Sequence, residues 1–152
     1  MIAIDNIQGV NLFPLKIIEG EMGAVFHAIK KTDTGFSEFG EAYFSIVNPG
    51  MIKGWKRHNI MILNIIVPVG EIEFAVFDDR PNSVTKGKWG KINLSTQNYH
   101  RLNVQPGLWM SFKGISKSMN LLLNVSNIVH SPAESDNLPL NHPDMPDIWR
   151  TK

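Results

Sequence analysis

An all-β barrel is what this 152-residue sequence predicts, on the strength of three observations. Short stretches rich in Val, Ile, Phe and Tyr recur from Gly23 onward, clusters of Gly, Pro, Asn and Asp separate them at close intervals, and helix signals are almost absent. Each turn redirects the chain after about one strand length, which favours a closed barrel over a flat sheet with long open edges.

The first expected strand, 10–17, carries Val10, Leu12, Phe13 and Leu15 and is apolar enough to cover a sheet edge. Strands follow at 24–30, 41–47 and 53–58. The next two, 61–67 and 71–78, flank Pro68-Val69-Gly70, which reads as a tight turn and predicts a hairpin. In the second of them Ile72, Phe74 and Val76 share one face, the pattern of a strand with one side in a core. Asp79-Arg80-Pro81-Asn82-Ser83 turns the chain toward 88–94 and 100–104; Gln105-Pro106-Gly107 turns it into 108–113, and 120–126 is the last expected strand. After Ser131, Pro132, Pro139, Pro143 and Pro146 alternate with Asp, Asn and Glu, with Leu138, Leu140, Ile148 and Trp149 as the apolar content. This tail, from about residue 131, is expected to run extended over the barrel, pinned near Trp149. No repeat or linker divides the chain, so one domain over 1–152 is expected.

Composition narrows the function. Lys+Arg 15 against Asp+Glu 14 leaves a net charge of +1, which removes the electrostatic case for nucleic acid. The absence of cysteine rules out a disulfide framework, a thiolate metal site and a thiol nucleophile, and suits a reducing compartment. Met1-Ile2-Ala3-Ile4-Asp5 lacks the basic-then-apolar order of a secretory signal. The longest apolar run, 60–70, is interrupted by Asn64 and Pro68 and is too short to span a bilayer. A cytoplasmic protein without membrane insertion is expected.

The densest polar cluster is Lys53-Gly54-Trp55-Lys56-Arg57-His58. On a strand, Lys56 and His58 project to one face and Trp55 and Arg57 to the other. If the first face looks into a barrel, a cation and an imidazole lie about 7 Å apart in a partly dry cavity, an arrangement suited to proton transfer beside an enolate or a phosphate. The alternative is a solvated edge strand with its charges outside. The cluster holds one His, with no second His two residues away and no Glu within a turn, while His100, His130 and His142 fall near turns; no metal and no cofactor is expected. Lys53, Lys56, Arg57 and Arg80 offer positive charge to phosphates, and Trp109, beside a Pro-Gly turn, is the aromatic expected at a ligand mouth.

From about Gly23 to Trp149 the order of short motifs resembles that of the dTDP-4-dehydrorhamnose 3,5-epimerases. The pieces are Tyr43-Phe44-Ser45, Pro49-Gly50-Met51-Ile52-Lys53-Gly54, Val69-Gly70-Glu71-Ile72 with Asp78-Asp79-Arg80 and Ser83, Trp89-Gly90, Leu94-Ser95, Asn98, Gln105-Pro106-Gly107 with Phe112, and His130-Ser131-Pro132-Ala133-Glu134. The resemblance implies a cupin, a double-stranded β-helix jelly-roll barrel, acting as a metal-free homodimer on a nucleotide-linked sugar in cell-surface polysaccharide biosynthesis. It also implies Tyr43 as a substrate-binding residue. In that family a His paired with an Asp removes a proton next to a ketone, a Lys stabilises the enolate, and a Tyr reprotonates from the opposite face.

Carried over position by position, the family's base falls on Lys56, its enolate-stabilising Lys on about Leu63, its Tyr on about Asn124 and a second His on Met110. The dyad Asp falls near Asn141 or His142, the diphosphate-holding Arg-Gly reads Met22-Gly23, and a following Glu becomes His27. Three readings stay open. One is an epimerase with a rewired site, in which Lys56 is base or enolate cation, His58 or His27 the proton shuttle and Asn124 a hydrogen bond to the sugar. The second is a barrel that binds a nucleotide sugar without turnover. The third is a structural or partner-binding barrel with an apolar interior and Lys56 and His58 outside.

Overall fold

The computed structural model describes residues 1–149. The three residues that complete the expected 1–152 domain lie outside the described residues.

Eleven of the strands lead from the N-terminus to residue 126: β1 (Val10–Pro14), β2 (Ile17–Gly20), β3 (Gly23–Phe26), β4 (Glu41–Val47), β5 (Ile52–His58), β6 (Leu63–Val69), β7 (Glu71–Phe77), β8 (Trp89–Ser95), β9 (His100–Val104), β10 (Trp109–Gly114) and β11 (Asn120–Ser126). A twelfth, β12 (Ser135–Leu138), lies in the tail after a single 3₁₀ turn at Pro132–Glu134. They form two five-stranded sheets, ordered β1-β9-β6-β11-β4 and β12-β5-β10-β7-β8, with β2 and β3 as a separate two-stranded arm. The all-β cupin-type barrel expected from the sequence is the fold observed.

Alternation along the strands fills the space between the sheets. Leu63, Ile65 and Val67 of β6 face inward from one sheet, and Ile72, Phe74 and Val76 of β7 from the other, all at most 4% exposed. A second apolar cluster lies on the outer side of the β5-β10-β7 sheet, where Trp55, Ala75 and Trp109 are covered by Met145, Leu138, Leu140 and Trp149 of the tail. Trp149 donates its indole N–H to Ser111 Oγ at 2.9 Å, and the Lys91 ammonium sits 4.1 Å from its ring centroid.

Several expectations give way. Residues 61–67 and 71–78 do not form a hairpin: β6 and β7 belong to different sheets, and Gly70 carries the chain between them with φ +76°. A Cβ there would stand 2.3 Å from the Met119 carbonyl oxygen, so only glycine passes this crossing. The first strand is shorter than expected, ending at Pro14, and the chain enters the separate β2 at Ile17. The next strand stops at Phe26 instead of residue 30, because its partner β2 ends opposite it at Ile17. Within the tail an unexpected strand appears: β12 pairs antiparallel with β5, setting Ser135 opposite His58 and Asn137 opposite Lys56.

Candidate active site

Between the two sheets lies a cavity of about 330 Å³. Tyr43 and Ser45 of β4, Leu63 and Ile65 of β6, and Leu122 and Asn124 of β11 form one wall. Lys53, Gly54, Lys56 and His58 of β5, with Met110 and Phe112 of β10, form the other, and Asn137 of β12 adds to the lining. Lys56 and His58 therefore share the inward face while Trp55 and Arg57 point out, and the reading of an apolar interior with both charges outside is overturned. Simple alternation would put Lys53 with Trp55. It joins Lys56 because β5 carries a bulge: Gly54 and Trp55 together oppose Ser111, between the pairs Lys56 with Met110 and Lys53 with Phe112.

His58 is 8% exposed, and its Nδ1 is hydrogen-bonded to Glu134 Oε1. The register of β12 brings this about, since Glu134 immediately precedes Ser135, the residue opposite His58. The second carboxylate oxygen accepts the backbone N–H groups of Ile60 and Met61, each at 3.2 Å. Burial pushes the Glu134 carboxyl up, but the His58 bond and the two amides outweigh it and hold it below the usual carboxylate range. For His58, burial is the largest influence and lowers the imidazole pKa; the Glu134 bond and charge oppose it, Lys56 and His130 add to it, and the net direction is down. The partners thus agree on one state at neutral pH: a charged Glu134 and a neutral His58 with its proton on Nδ1. This tautomer is assigned from the carboxylate acceptor, and it leaves Nε2 as the basic nitrogen.

Across the cavity, Asn124 is 1% exposed; its Oδ1 accepts the Asn64 N–H and its Nδ2 donates to the Tyr43 hydroxyl, both at 3.2 Å. Lys53 Nζ donates to Ser45 Oγ at 2.7 Å and lies 5.9 Å from the Phe112 ring centroid. Leu63 and Met110, where the resemblance places a catalytic Lys and His, line the same cavity as apolar residues.

Five of the nine residues singled out in the sequence thus converge: Tyr43, Lys53, Lys56, His58 and Asn124. Four do not. Arg57 and Trp109 lie on the reverse face of the sheet, where the guanidinium stacks 4.5 Å from the indole centroid and bonds Asp79 and Asp136, and the indole N–H donates to Asp79. Trp109, at 3% exposed, is packed under the tail and not at the mouth of this cavity. Arg80 is bound to Asp78, whose carboxyl is held far below its ordinary value; burial opposes that shift, and the bonds from Arg80, Ser83 and Thr85 outweigh it. His27 lines a separate recess of about 400 Å³ with Phe13, Lys16 and Arg101, because its carbonyl is anchored by the Tyr99 hydroxyl on the outer side of the barrel. Where the family's dyad Asp falls, near Asn141 or His142, His142 borders the reverse face with Arg57, and the carboxylate bonded to His58 is that of Glu134. Glu134 escaped the reading of the sequence as a site residue because 76 positions separate it from His58. Its one signal was its place in the His130-Ser131-Pro132-Ala133-Glu134 motif. Among the described residues, no group of three or more His, Cys, Asp or Glu side chains is placed to hold a metal ion.

The chain is similar to known proteins over nearly its whole length. A dTDP sugar isomerase from Desulfovibrio desulfuricans G20 superposes with a TM-score of 0.91 at 35% identity, covering 94% of this chain and 92% of that one. The Legionella pneumophila dTDP-6-deoxy-D-glucose-3,5-epimerase, in complex with dTDP-4-keto-L-rhamnose, shares the fold with a TM-score of 0.79 at 20% identity, covering 91% of this chain and 77% of its own. The probable low-salt glycan biosynthesis epimerase Agl13 of Haloferax volcanii is 24% identical over 136 residues, 86% of this chain and 85% of that protein. The family model for dTDP-4-dehydrorhamnose 3,5-epimerase matches residues 5–151, and the chain belongs to that family.

Proposed function

We propose that this protein epimerises a 4-keto-6-deoxy sugar carried on a nucleoside diphosphate, using a catalytic set moved to new positions in the family's barrel. The observation that carries the reading is the buried His58–Glu134 pair on the wall of the cavity, with Lys56 on the same strand face. A proton next to a ketone is only weakly acidic, so its removal needs a base together with a fixed positive charge at the enolate oxygen. His58 Nε2 is the base, Glu134 holds its tautomer and balances the imidazolium, and Lys56 is the cation at the enolate oxygen. Lys53, beyond the bulge and more exposed, meets the diphosphate. The reaction as proposed needs no metal and no cofactor, since Lys56 supplies the charge.

A cavity of about 330 Å³ is near the lower limit for ligand sites, which suits one sugar ring with the nucleotide outside. The neighbours' dTDP-linked sugars make a nucleotide sugar the ligand of choice, and the glycan biosynthesis relative favours a role in cell-surface polysaccharide assembly. We place the protein in the cytoplasm, where such precursors are made; no helix among the described residues is long and apolar enough to cross a membrane. A homodimer is part of the proposal, supported by exposed Phe44 and Ile46 on edge strand β4 and by exposed Met22 and Val25 on the β2–β3 arm. The test is incubation with a dTDP-4-keto-6-deoxyhexose, with products resolved by NMR and binding followed by thermal shift. Epimer formation that Lys56→Met reduces at least about 100-fold supports the proposal. Ligand-induced stabilisation without any epimer identifies a binding protein and refutes it.

A further inference from the structure

We propose that the recess at the foot of the β2–β3 arm binds a phosphate monoester, at a site separate from the cavity between the sheets and independent of the epimerase reading. The observation that carries it is Arg101, a guanidinium buried on the outer side of the barrel without a counter-ion.

Arg101 lies on β9 next to Leu102, whose side chain is in the core between the sheets. Alternation turns Arg101 outward, onto the face of the sheet that also carries Asn103 and Asn64. It is 1% exposed. One terminal nitrogen donates to Asn64 Oδ1 and the other to the Thr34 carbonyl at 2.6 Å, and the guanidinium carbon lies 4.5 Å from the Phe13 ring centroid. Its Nε is buried with no hydrogen-bond partner, and among the described residues no carboxylate forms an ion pair with it. Its partners are neutral oxygens and a ring, which leaves a buried charge uncompensated, a costly arrangement. Burial lowers the guanidinium pKa against an opposing pull from Asp33, yet an arginine stays charged in a protein.

The recess is built around that charge. The loop that follows β3 makes two successive turns, Asp33 to Lys30 and Phe36 to Asp33, and brings the Thr34 carbonyl to Arg101. Gly35 sits there at φ +81°, where a Cβ would stand 2.9 Å from the Phe13 ring. Asp33 is the one carboxylate in the lining, and Lys30 already engages it: the Lys30 backbone N–H donates to Oδ2 at 2.8 Å, and Nζ lies 3.7 Å from Oδ1. Lys16 also lines the recess and has no ion pair among the described residues. Lys16 and Arg101 therefore face no free negative charge. Two positive charges match the roughly −1.5 to −2 of a phosphate monoester and exceed what one carboxylate offers.

The volume, about 400 Å³, is larger than that of a bare phosphate, and Leu15, Ile18 and Ile29 give it an apolar wall. An organic body beside the phosphate covers that wall while the Lys16 ammonium and Arg101 hold the charged end. The recess and the cavity holding His58 share no lining residue.

The test is an NMR titration of the whole protein with dTMP and, separately, with glucose 1-phosphate, reading the Arg101 Nε–H resonance. A saturable shift with a Kd of about 1 mM or tighter is expected for at least one of them, and the tighter binder identifies the body as nucleoside or sugar. Lys16→Met, at an exposed position where the fold is retained, should weaken that binding at least about tenfold. Lys53→Met combined with Lys56→Met removes the ammonium groups of the other cavity and should leave it within about twofold. Three results overturn the site: no shift with either phosphate, an equal shift with thymidine, which lacks the phosphate, or a shift lost in the Lys53 and Lys56 double variant and kept in Lys16→Met. None of these readouts depends on turnover, so failure of the epimerase reading leaves the test intact.

Discussion

Glu134→Gln isolates the dyad with one atom changed. The carboxylate accepts His58 Nδ1 on one oxygen and the Ile60 and Met61 amides on the other, so the wild-type group is acceptor on every side. A carboxamide cannot satisfy this pattern. If its oxygen faces the two amides, its NH₂ donates to His58 Nδ1, the imidazole proton moves to Nε2, and the base loses its lone pair toward the cavity. If the oxygen faces His58, the NH₂ abuts two N–H donors in a buried site. The first arrangement leaves every group bonded and is expected to dominate. A buried carboxylate-to-amide change that imposes the wrong His tautomer in the serine-protease triad costs about 10⁴-fold, so kcat/KM here is expected to fall by roughly 10²–10⁴. Stability should fall less, by about 1–3 kcal/mol for weakened hydrogen bonds to a charged group. NMR-detected turnover and thermal unfolding give the two numbers. Activity within about twofold of wild type in a folded variant would refute the dyad as the source of the base.

Three more predictions follow from the same geometry. The folded-state pKa of His58 is depressed, so its neutral, basic form persists below the ordinary imidazole range; kcat/KM should hold through that range and fall only at more acid pH, and an acid limb within or above that range would contradict this assignment. Linkage gives the matching stability effect: the unfolded chain binds protons that buried His58 and Glu134 resist, so stability is fully present above the unfolded-state pKa values and is lost progressively as pH falls from them to the lower folded-state values, as urea melts extending from pH 7 into the acid range should show. Phe74→Ala opens the core between the sheets and should cost about 3–5 kcal/mol, or roughly 6–20 °C in Tm, whereas Arg57→Ala severs partly exposed ion pairs on the reverse face and should cost at most about 1 kcal/mol with turnover unchanged.

What the sequence revealed depended on how local the determining physics was. Strands 41–47, 100–104 and 120–126 have the expected bounds, and the burial of Ile72, Phe74 and Val76 follows their alternation. The shared face of Lys56 and His58 is equally local, set by the two-residue period of β5. Pairing partners are not local. Pro68-Val69-Gly70 has hairpin composition, yet Gly70 is required by the close passage of Met119 and Asn120, fifty positions away in the chain, and it carries the chain to the other sheet. The inward turn of Lys53 depends on a bulge visible only once β10 is alongside. Trp109 was read as a rim residue from its Pro-Gly turn, but its face is fixed by its place opposite Arg57 and Phe77 and by the tail that covers it. Glu134 reaches His58 only through the register of β12, a strand whose Ser-Asp-Asn-Leu sequence carries almost no β signal.

The resemblance identified the barrel and the positions around its cavity, and it assigned to Lys56, Leu63, Met110 and Asn124 tasks that most of these side chains cannot perform. The structure shows those four lining one cavity, with His58 two residues along β5 from Lys56 and Tyr43 one strand across from Asn124. An account of the site therefore rests on substitution of groups within a constant cavity, which is how one fold accommodates changed chemistry.

The most direct test of the central claim is solvent-deuterium exchange into a dTDP-4-keto-6-deoxyhexose, comparing wild-type protein with His58→Gln at saturating ligand. The account predicts exchange at a ring carbon next to the ketone in the wild type, and a loss of at least about 100-fold in the variant while ligand-induced thermal stabilisation persists. Equal exchange in the two proteins would contradict it, because the base would then lie elsewhere.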